Sequence, residues 1–247
     1  MPILVAPAKV ERYIWPPRPA DAIPREETEF LRDTSWEAQL KYNDTHILLK
    51  YLPNGTVELW NRHAERIRSY HCPDWLMEQI REIPKILGLQ WPGHYHLLDG
   101  GLLDNKHVAI KDTIVIWDIL VREGVQLIGS TYGQRYDELF RHATTTPWMY
   151  THPSHAPIRF GTCITPNIFF PQMIVWEDWD RTWDEVVAIV NKPFTKHEPN
   201  HANYECHPVI EGLVFKNMNG KLEFGFKEKN NSSWMMRSRV HTGRHRF

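Results

Sequence analysis

One lysine stands where an amine could do chemistry. The stretch Trp36-Glu37-Ala38-Gln39-Leu40-Lys41-Tyr42 runs into the polar pair Asn43-Asp44, and an alternating run, Ile47-Leu48-Leu49-Lys50-Tyr51-Leu52, starts just beyond it. Where a strand breaks and restarts, a lysine can turn its amine into a pocket instead of solvent, and a neutral amine is a nucleophile. Lys41 is therefore the candidate nucleophile. Taken alone the pattern is weak, since a lysine beside a turn is ordinarily a solvated surface residue. Five pieces beside expected strands or strand ends give it company. They are Lys41-Tyr42-Asn43-Asp44 itself, Arg62 in Leu59-Trp60-Asn61-Arg62-His63, Asp99 in Leu98-Asp99-Gly100-Gly101-Leu102, Glu211-Gly212-Leu213-Val214-Phe215-Lys216, and Trp234-Met235-Met236-Arg237-Ser238-Arg239. Between the third and fourth lies an apolar strand carrying Trp117 in Ile116-Trp117-Asp118-Ile119-Leu120.

The elements that must position these residues can be read from periodicity. Ala38 to Leu40, Ile47 to Leu52 and Val57 to Trp60, with Pro53-Asn54-Gly55 between the last two, predict a β-meander. Asp74 to Leu87 has the spacing of an amphipathic helix, with Asp74 as its N-cap and Gly88 as its stop. His96-Leu97-Leu98 reads as a short strand running into Asp99-Gly100-Gly101. Val108 to Ile110 and Thr113 to Leu120 read as further strands, the latter apolar enough to be central. Tyr132 to His142 and Thr182 to Asn191 look helical, with Thr182 and Glu185 as a capping box. Asn217-Met218-Asn219-Gly220 predicts a hairpin between Val209–Phe215 and Lys221–Phe226. Residues 1–30 hold Pro2, Pro7, Pro16, Pro17, Pro19 and Pro24. So many prolines predict an extended arm lying on the domain or partly mobile, without a regular element. The proline-studded segment 144–172 carries no clear pattern.

Composition bounds the possibilities. A chain of 247 residues can bury a sizeable core as one large domain. A formal charge of -1 excludes a uniformly basic nucleic-acid coat while leaving room for a local basic groove. Cys72, Cys163 and Cys206 are odd in number and far apart, which argues against a disulfide framework or zinc knuckle and for a reducing compartment. No apolar run is long enough to cross a bilayer, and Met1 to Lys9 lacks the order of a signal peptide, so a cytoplasmic protein without membrane contact is expected.

In their order and intervals the pieces resemble the covalent nucleotidyltransferase superfamily, specifically the adenylation domain of ATP-dependent polynucleotide ligases, over residues 34–239. The passage from Asp99 through Trp117-Asp118-Ile119-Leu120 to Tyr132-Gly133-Gln134-Arg135 looks more like DNA ligases than RNA ligases or capping enzymes. The resemblance implies an α+β, ATP-grasp-like nucleotidyltransferase domain over 31–247, with two antiparallel sheets flanked by helices. It implies that Lys41 attacks the α-phosphate of ATP to give lysyl-AMP, on the way to joining 5′-phosphate and 3′-hydroxyl ends. Arg62 would contact the ribose or phosphate, and Gln39 the adenine edge. Trp117 would stack on the base with Val214 on its other face. Lys216, Arg237 and Arg239 would clamp phosphate, and Glu211 with Asp99 would hold Mg²⁺ or Mn²⁺. The implied partner is nicked or broken nucleic acid, DNA favoured over RNA.

Several positions depart from the family pattern. Its first motif runs Lys-x-Asp-Gly, and here Asn43 and Asp44 fill the last two places; its third runs Asp-Gly-Glu, and Gly101 stands at the glutamate. Arg237 and Arg239 replace lysines, which keeps the charge and adds bidentate reach. The chain ends at Phe247 without the OB-fold domain that typical ligases carry. Either a separate OB-fold chain supplies it, or the arm and basic tail compensate, or only part of the cycle is performed. The alternatives implied are a catalytically altered module that binds a nucleotide or nucleic-acid end, and an RNA ligase or capping-type guanylyltransferase.

Overall fold

The computed structural model describes residues 13–32, 34–104, 110–142, 146–150, 157–190, 195–198, 201–205, 208–225 and 231–240. The expectations for residues 1–12, the Val108-Ala109 part of a strand, Cys206, Phe226 and the basic tail at Arg244 and Arg246 fall outside them. The fold is mixed α/β, with two principal sheets and few helices. In chain order the strands are β1 (Arg18–Ala22), β2 (Trp36–Tyr42), β3 (Thr45–Tyr51), β4 (Val57–Asn61), β5 (His96–Leu103), β6 (Thr113–Arg122), β7 (Val125–Gln126), β8 (Pro147–Tyr150), β9 (Ile158–Thr165), β10 (Ile168–Pro171), β11 (Thr195–Glu198), β12 (His201–Glu205), β13 (Ile210–Asn217) and β14 (Asn231–Arg239). The helices are α1 (Asp74–Ile86), α2 (Tyr132–Phe140) and α3 (Trp179–Val190). The smaller principal sheet has the order β1-β14-β13-β2; the larger runs β4-β3-β5-β6-β10-β9-β8 with β7 beside β6. Two pairings are parallel, β1 with β14 and β10 with β6, so neither sheet is wholly antiparallel. Among the described residues no helix is long and apolar enough to cross a membrane.

The expected meander is split between the two sheets. β3 pairs with β4 as predicted, but β2 leaves them and lies against β13. Asn43 and Asp44 are thus the crossing point between sheets. One apolar core gathers Leu40, Leu213 and Phe215 of the smaller sheet with Trp179, Trp183 and Val186 of α3, and reaches Val115, Phe160 and Phe169 of the larger sheet. Tyr42 ties the layers, since its hydroxyl donates to the Phe160 carbonyl at 2.9 Å. On the far side of the larger sheet, Leu76, Ile80 and Ile83 of α1 pack on Leu49, Leu98 and Ile116. β5 and β6 between them are buried almost throughout, as a strand covered on both faces must be.

Other local expectations change for identifiable reasons. Pro73 occupies the N-cap position of α1 and Asp74 its first turn, where a carboxylate meets the positive end of the helix. α3 begins at Trp179, so Thr182 lies inside it and forms no capping box. A capping box does occur at Thr131 and Gln134, starting α2. The turn at 217–220 forms, but β13 pairs with β14 and not with the described residues 221–225, of which Lys221 makes one bridge to Thr131. The proline-rich beginning also carries regular structure: β1 adds to the edge of the smaller sheet, and a 3-10 helix spans Arg25–Leu31. An edge strand tolerates proline, whose missing N–H can face away from the ladder. The described residues of segment 144–172 include β8, β9 and β10.

Candidate functional site

Side chains two apart on a strand share a face, and one face of the smaller sheet collects the chemistry. Across it, Lys41 lies opposite Gly212 and Gly212 opposite Arg239, while in the next row Gln39 lies opposite Val214 and Val214 opposite Arg237. The β2–β13 ladder slips at Glu211, between Ile210 and Gly212. Glu211 there pairs with the Lys41 ammonium and with Arg239 at 3.2 Å. Gly212 is obligatory: its φ is 155°, and a Cβ would come within 1.9 Å of the Ser238 carbonyl oxygen.

This face opens on a cavity of about 670 Å³, a volume within the usual range for nucleotide-sized ligands. The larger sheet supplies the other walls: His46 of β3, Asn61 with Arg62 and His63 at the end of β4, Trp117 of β6 and Pro171 of β10. Trp117 is the half-open residue among buried neighbours on β6. Of the residues singled out in the sequence, Gln39, Lys41, Arg62, Trp117, Glu211, Val214, Lys216, Arg237 and Arg239 all line this cavity. Asp99 does not. It is 1% exposed on β5, one oxygen 2.5 Å from His46 Nε2 and the other without a hydrogen-bond partner. Burial pulls the His46 pKa down, but the charge and hydrogen bond of Asp99, with Asp44 adding to them, raise it overall.

Glu211 and Asp99 therefore do not share one site. Glu211 is taken up by two cations, and among the described residues no group of three His, Cys, Asp or Glu could hold a metal. The side chains do not fit a protein cage for Mg²⁺.

The two departures from the family pattern meet in space. His46 lies opposite Gly101 across the β3–β5 ladder, and a Cβ on Gly101 would fall 2.7 Å from both Cγ and Oδ2 of Asp44 and 2.9 Å from its Cβ. The Asp44 carboxyl occupies the space that a side chain at 101 would need, and it lines the cavity. Gly101 is the vacancy that admits it.

Beneath the cavity floor is a network centred on Tyr132, which the sequence reading placed on a helix without a role. Its hydroxyl accepts from Gln39 at 3.1 Å and from Lys216 at 3.0 Å, and donates to the Trp117 carbonyl at 3.0 Å. Lys216 is 3% exposed, and its ammonium also lies 4.3 Å from the Tyr132 ring centroid. Burial lowers its pKa to about 8, against the opposing charges of Asp118 and Asp99. α2 is fixed to β6 by a buried bidentate pair, Arg135 to Asp118, at 2.8 and 2.9 Å. The capping-box spacing Thr131…Gln134 was the sequence signal that could have fixed this helix start and aimed Tyr132. Pro17, Arg18, Pro19 and Ala20 also line the cavity, and the proline-rich composition hid them.

No protein-family model matches the chain, and no curated protein matches it. Solved structures similar to it include DNA ligases. One is described as a mycobacterial DNA ligase D complexed with ATP and MES; it is 14% identical at a TM-score of 0.46, over 83% of this chain and 54% of that one. The ligase domain of M. tuberculosis LigD is 14% identical at a TM-score of 0.47, over 83% and 53%. A Lig E DNA ligase is 10% identical at a TM-score of 0.45, over 89% and 67%. The chain spans about half the length of the mycobacterial ligase structures it matches.

Proposed function

We propose that this chain is an ATP-dependent, DNA-ligase-like nucleotidyltransferase that carries AMP on Lys41, with residues 31–247 as the nucleotidyltransferase domain. The observation that carries the reading is the setting of Lys41: its amine opens on the cavity, in a row with Arg239 and bonded to Glu211. An ammonium cannot attack, and Glu211 is the carboxylate placed to take its proton. The Lys41 Nζ–phosphorus bond forms as the bond from the α-phosphorus to the bridging oxygen breaks, and pyrophosphate leaves. Arg239, Arg237 and Lys216 stabilise the charge growing on the phosphate oxygens. In this reading Trp117 and Val214 hold the base, Gln39 reads its edge, and Arg62 takes the ribose or phosphate. Mg²⁺ or Mn²⁺ would enter with the nucleotide phosphates. AMP then passes to a 5′-phosphate on nicked or broken DNA, and a 3′-hydroxyl displaces it.

The test is incubation with α-labelled ATP and Mg²⁺ or Mn²⁺, followed by denaturation and a search for acid-labile label on the protein. Label lost in Lys41→Ala supports the reading, and labelling by GTP instead would indicate a capping-type activity. A second reading, a nucleotide-binding module without transfer, is favoured by the Lys41–Glu211 ion pair, which engages the amine with a carboxylate. Reversible ATP binding with no label under any metal would establish it.

A further inference from the structure

Resting on the nucleotidyltransferase reading, we infer that Tyr132 is the positioning residue that fixes which end of the Gln39 amide faces the cavity, and so makes the site select adenine over a 6-oxopurine.

A carboxamide has two unlike ends, and half a turn about its last bond exchanges an acceptor for a donor. Which end of Gln39 meets a ligand must be decided by a partner, and that partner is the Tyr132 hydroxyl. It lies 3.0 Å from the Trp117 carbonyl oxygen, 3.0 Å from Lys216 Nζ and 3.1 Å from the Gln39 amide. A phenol has one proton to give and two lone pairs to fill. The carbonyl oxygen can only accept, so it takes the proton. Lys216, whose pKa of about 8 keeps it an ammonium near pH 7, can only donate. The second lone pair therefore needs a donor, which assigns Nε2 of Gln39 to Tyr132 and leaves Oε1 over. Among the described residues no group donates to Gln39 Oε1; the atom is not sealed from solvent, and Gln39 lines the cavity.

The hydroxyl is itself held in place before any ligand arrives. Tyr132 is fully buried, its ring stacks on Trp234 with centroids 5.6 Å apart, and its N–H donates to the Gly220 carbonyl at 2.7 Å. The helix it begins is pinned to β6 by the buried Arg135–Asp118 pair. Gln39 thus offers the cavity a fixed acceptor. Val214 lies opposite Gln39 in the ladder, so a base between Trp117 and Val214 has an edge beside that oxygen. Adenine's 6-amino group donates to it. Guanine and hypoxanthine carry an oxygen at that position, and two acceptors would face each other with no proton between them. Without the Tyr132 hydroxyl the amide can turn, offer Nε2 and take either kind of base.

Calorimetric titration of the full chain near pH 7 with ATP, GTP and ITP decides the matter, for wild type, Tyr132→Phe, Gln39→Glu and the double variant. ITP keeps the 6-oxo group without guanine's 2-amino group and so isolates the one position. Thermal melts without ligand confirm that the variants fold. Wild type is expected to bind ATP about tenfold or more tightly than ITP and GTP, the scale of one mismatched hydrogen bond. Tyr132→Phe should lower that ratio by about fivefold or more. A carboxylate presents oxygen whichever way it turns, so Gln39→Glu should keep the preference for ATP, and adding Tyr132→Phe to it should change the ratio less than about twofold. A ratio indifferent to Tyr132→Phe, an equal fall in both backgrounds, as general loosening of the floor would give, or a wild type without preference for ATP overturns the inference. The outcome is separable from the labelling experiment. Label on Lys41 with a ratio insensitive to Tyr132 leaves the transfer reading standing alone. A Tyr132-dependent ratio without label leaves the amide assignment standing alone.

Discussion

The exchange of space between Asp44 and Gly101 can be tested as a coupling energy. In Gly101→Ala the new Cβ meets Cγ and Oδ2 of Asp44 at 2.7 Å and its Cβ at 2.9 Å. Rotating Asp44 about χ1 relieves the first two contacts but not the third, whose position the backbone fixes. Overpacking of this kind costs about 1–3 kcal/mol, and replacing a strand glycine by alanine returns ~0.5–1 kcal/mol. A net loss of roughly 0.5–2 kcal/mol follows, or a few degrees in Tm at ~2–4 °C per kcal/mol for a domain of this size. In an Asp44→Gly background all three opposing atoms are gone. There Gly101→Ala should be neutral or stabilising, giving a coupling of ~1–3 kcal/mol between the two positions. Urea denaturation of wild type, both single variants and the double variant measures it. If Gly101→Ala costs the same with and without Asp44, the two side-chain positions do not compete for one space and the reasoning fails.

Asp118→Ala leaves Arg135 charged and unpaired in the core; it is expected to lose about 3–5 kcal/mol in chemical denaturation, and a loss below ~1 kcal/mol would contradict a buried pair. Tyr132→Phe removes the acceptor of Gln39 and Lys216 and should cost ~1–3 kcal/mol with weaker ATP binding by calorimetry; unchanged stability and affinity would rule out the network. Lys216 gives a pH signature. Its folded pKa of about 8 lies below the 10.5 of an unburied lysine, so below pH 8 both states hold the proton and the burial penalty is full. Between pH 8 and 10.5 the unfolded state binds more protons and stability rises with pH. Lys216→Met should be more stable than wild type near pH 7, the gap in Tm shrinking toward pH 10; a constant gap would refute the assignment.

The legible part of this protein was what nearest neighbours in sequence decide. Alternation gave β3 and β4, the apolar run gave β6 as a central strand, and a 3.6-residue spacing with Gly88 gave α1. Where a decision belonged to a distant segment, local pattern misled. Nothing between Tyr42 and Thr45 reveals that the strands on either side join different sheets, because that depends on β13, more than 160 residues away. The turn at 217–220 was readable, but the identity of the strand answering β13 was not. Resemblance named nine residues that now line one cavity, since ordered motifs survive where composition is silent. It could not name Arg18 or Tyr132. One sits in a proline-rich stretch whose pairing strand lies at the other end of the chain, and the other acts from below the floor through its hydroxyl.

Lys41 belongs to one layer and Trp117 to the other, and two residues, Asn43 and Asp44, link β2 to β3. The distance from the Lys41 amine to the Trp117 ring is consequently not held by a hydrogen-bonded ladder. It is held by the interlayer filling, where Tyr42 meets Phe160 and Phe169 edge-on at 5.4 and 5.6 Å. Close-packed interiors transmit strain, and a small misplacement of reacting groups can cost orders of magnitude in rate. In the proposed reaction, speed and ligand affinity would thus be separately tunable. Trimming Phe160 or Phe169 between the layers would shift Lys41 against Trp117 while leaving every cavity-lining group chemically intact, so, if the proposed transfer holds, directed evolution for turnover should return positions in that seam as readily as positions in the pocket.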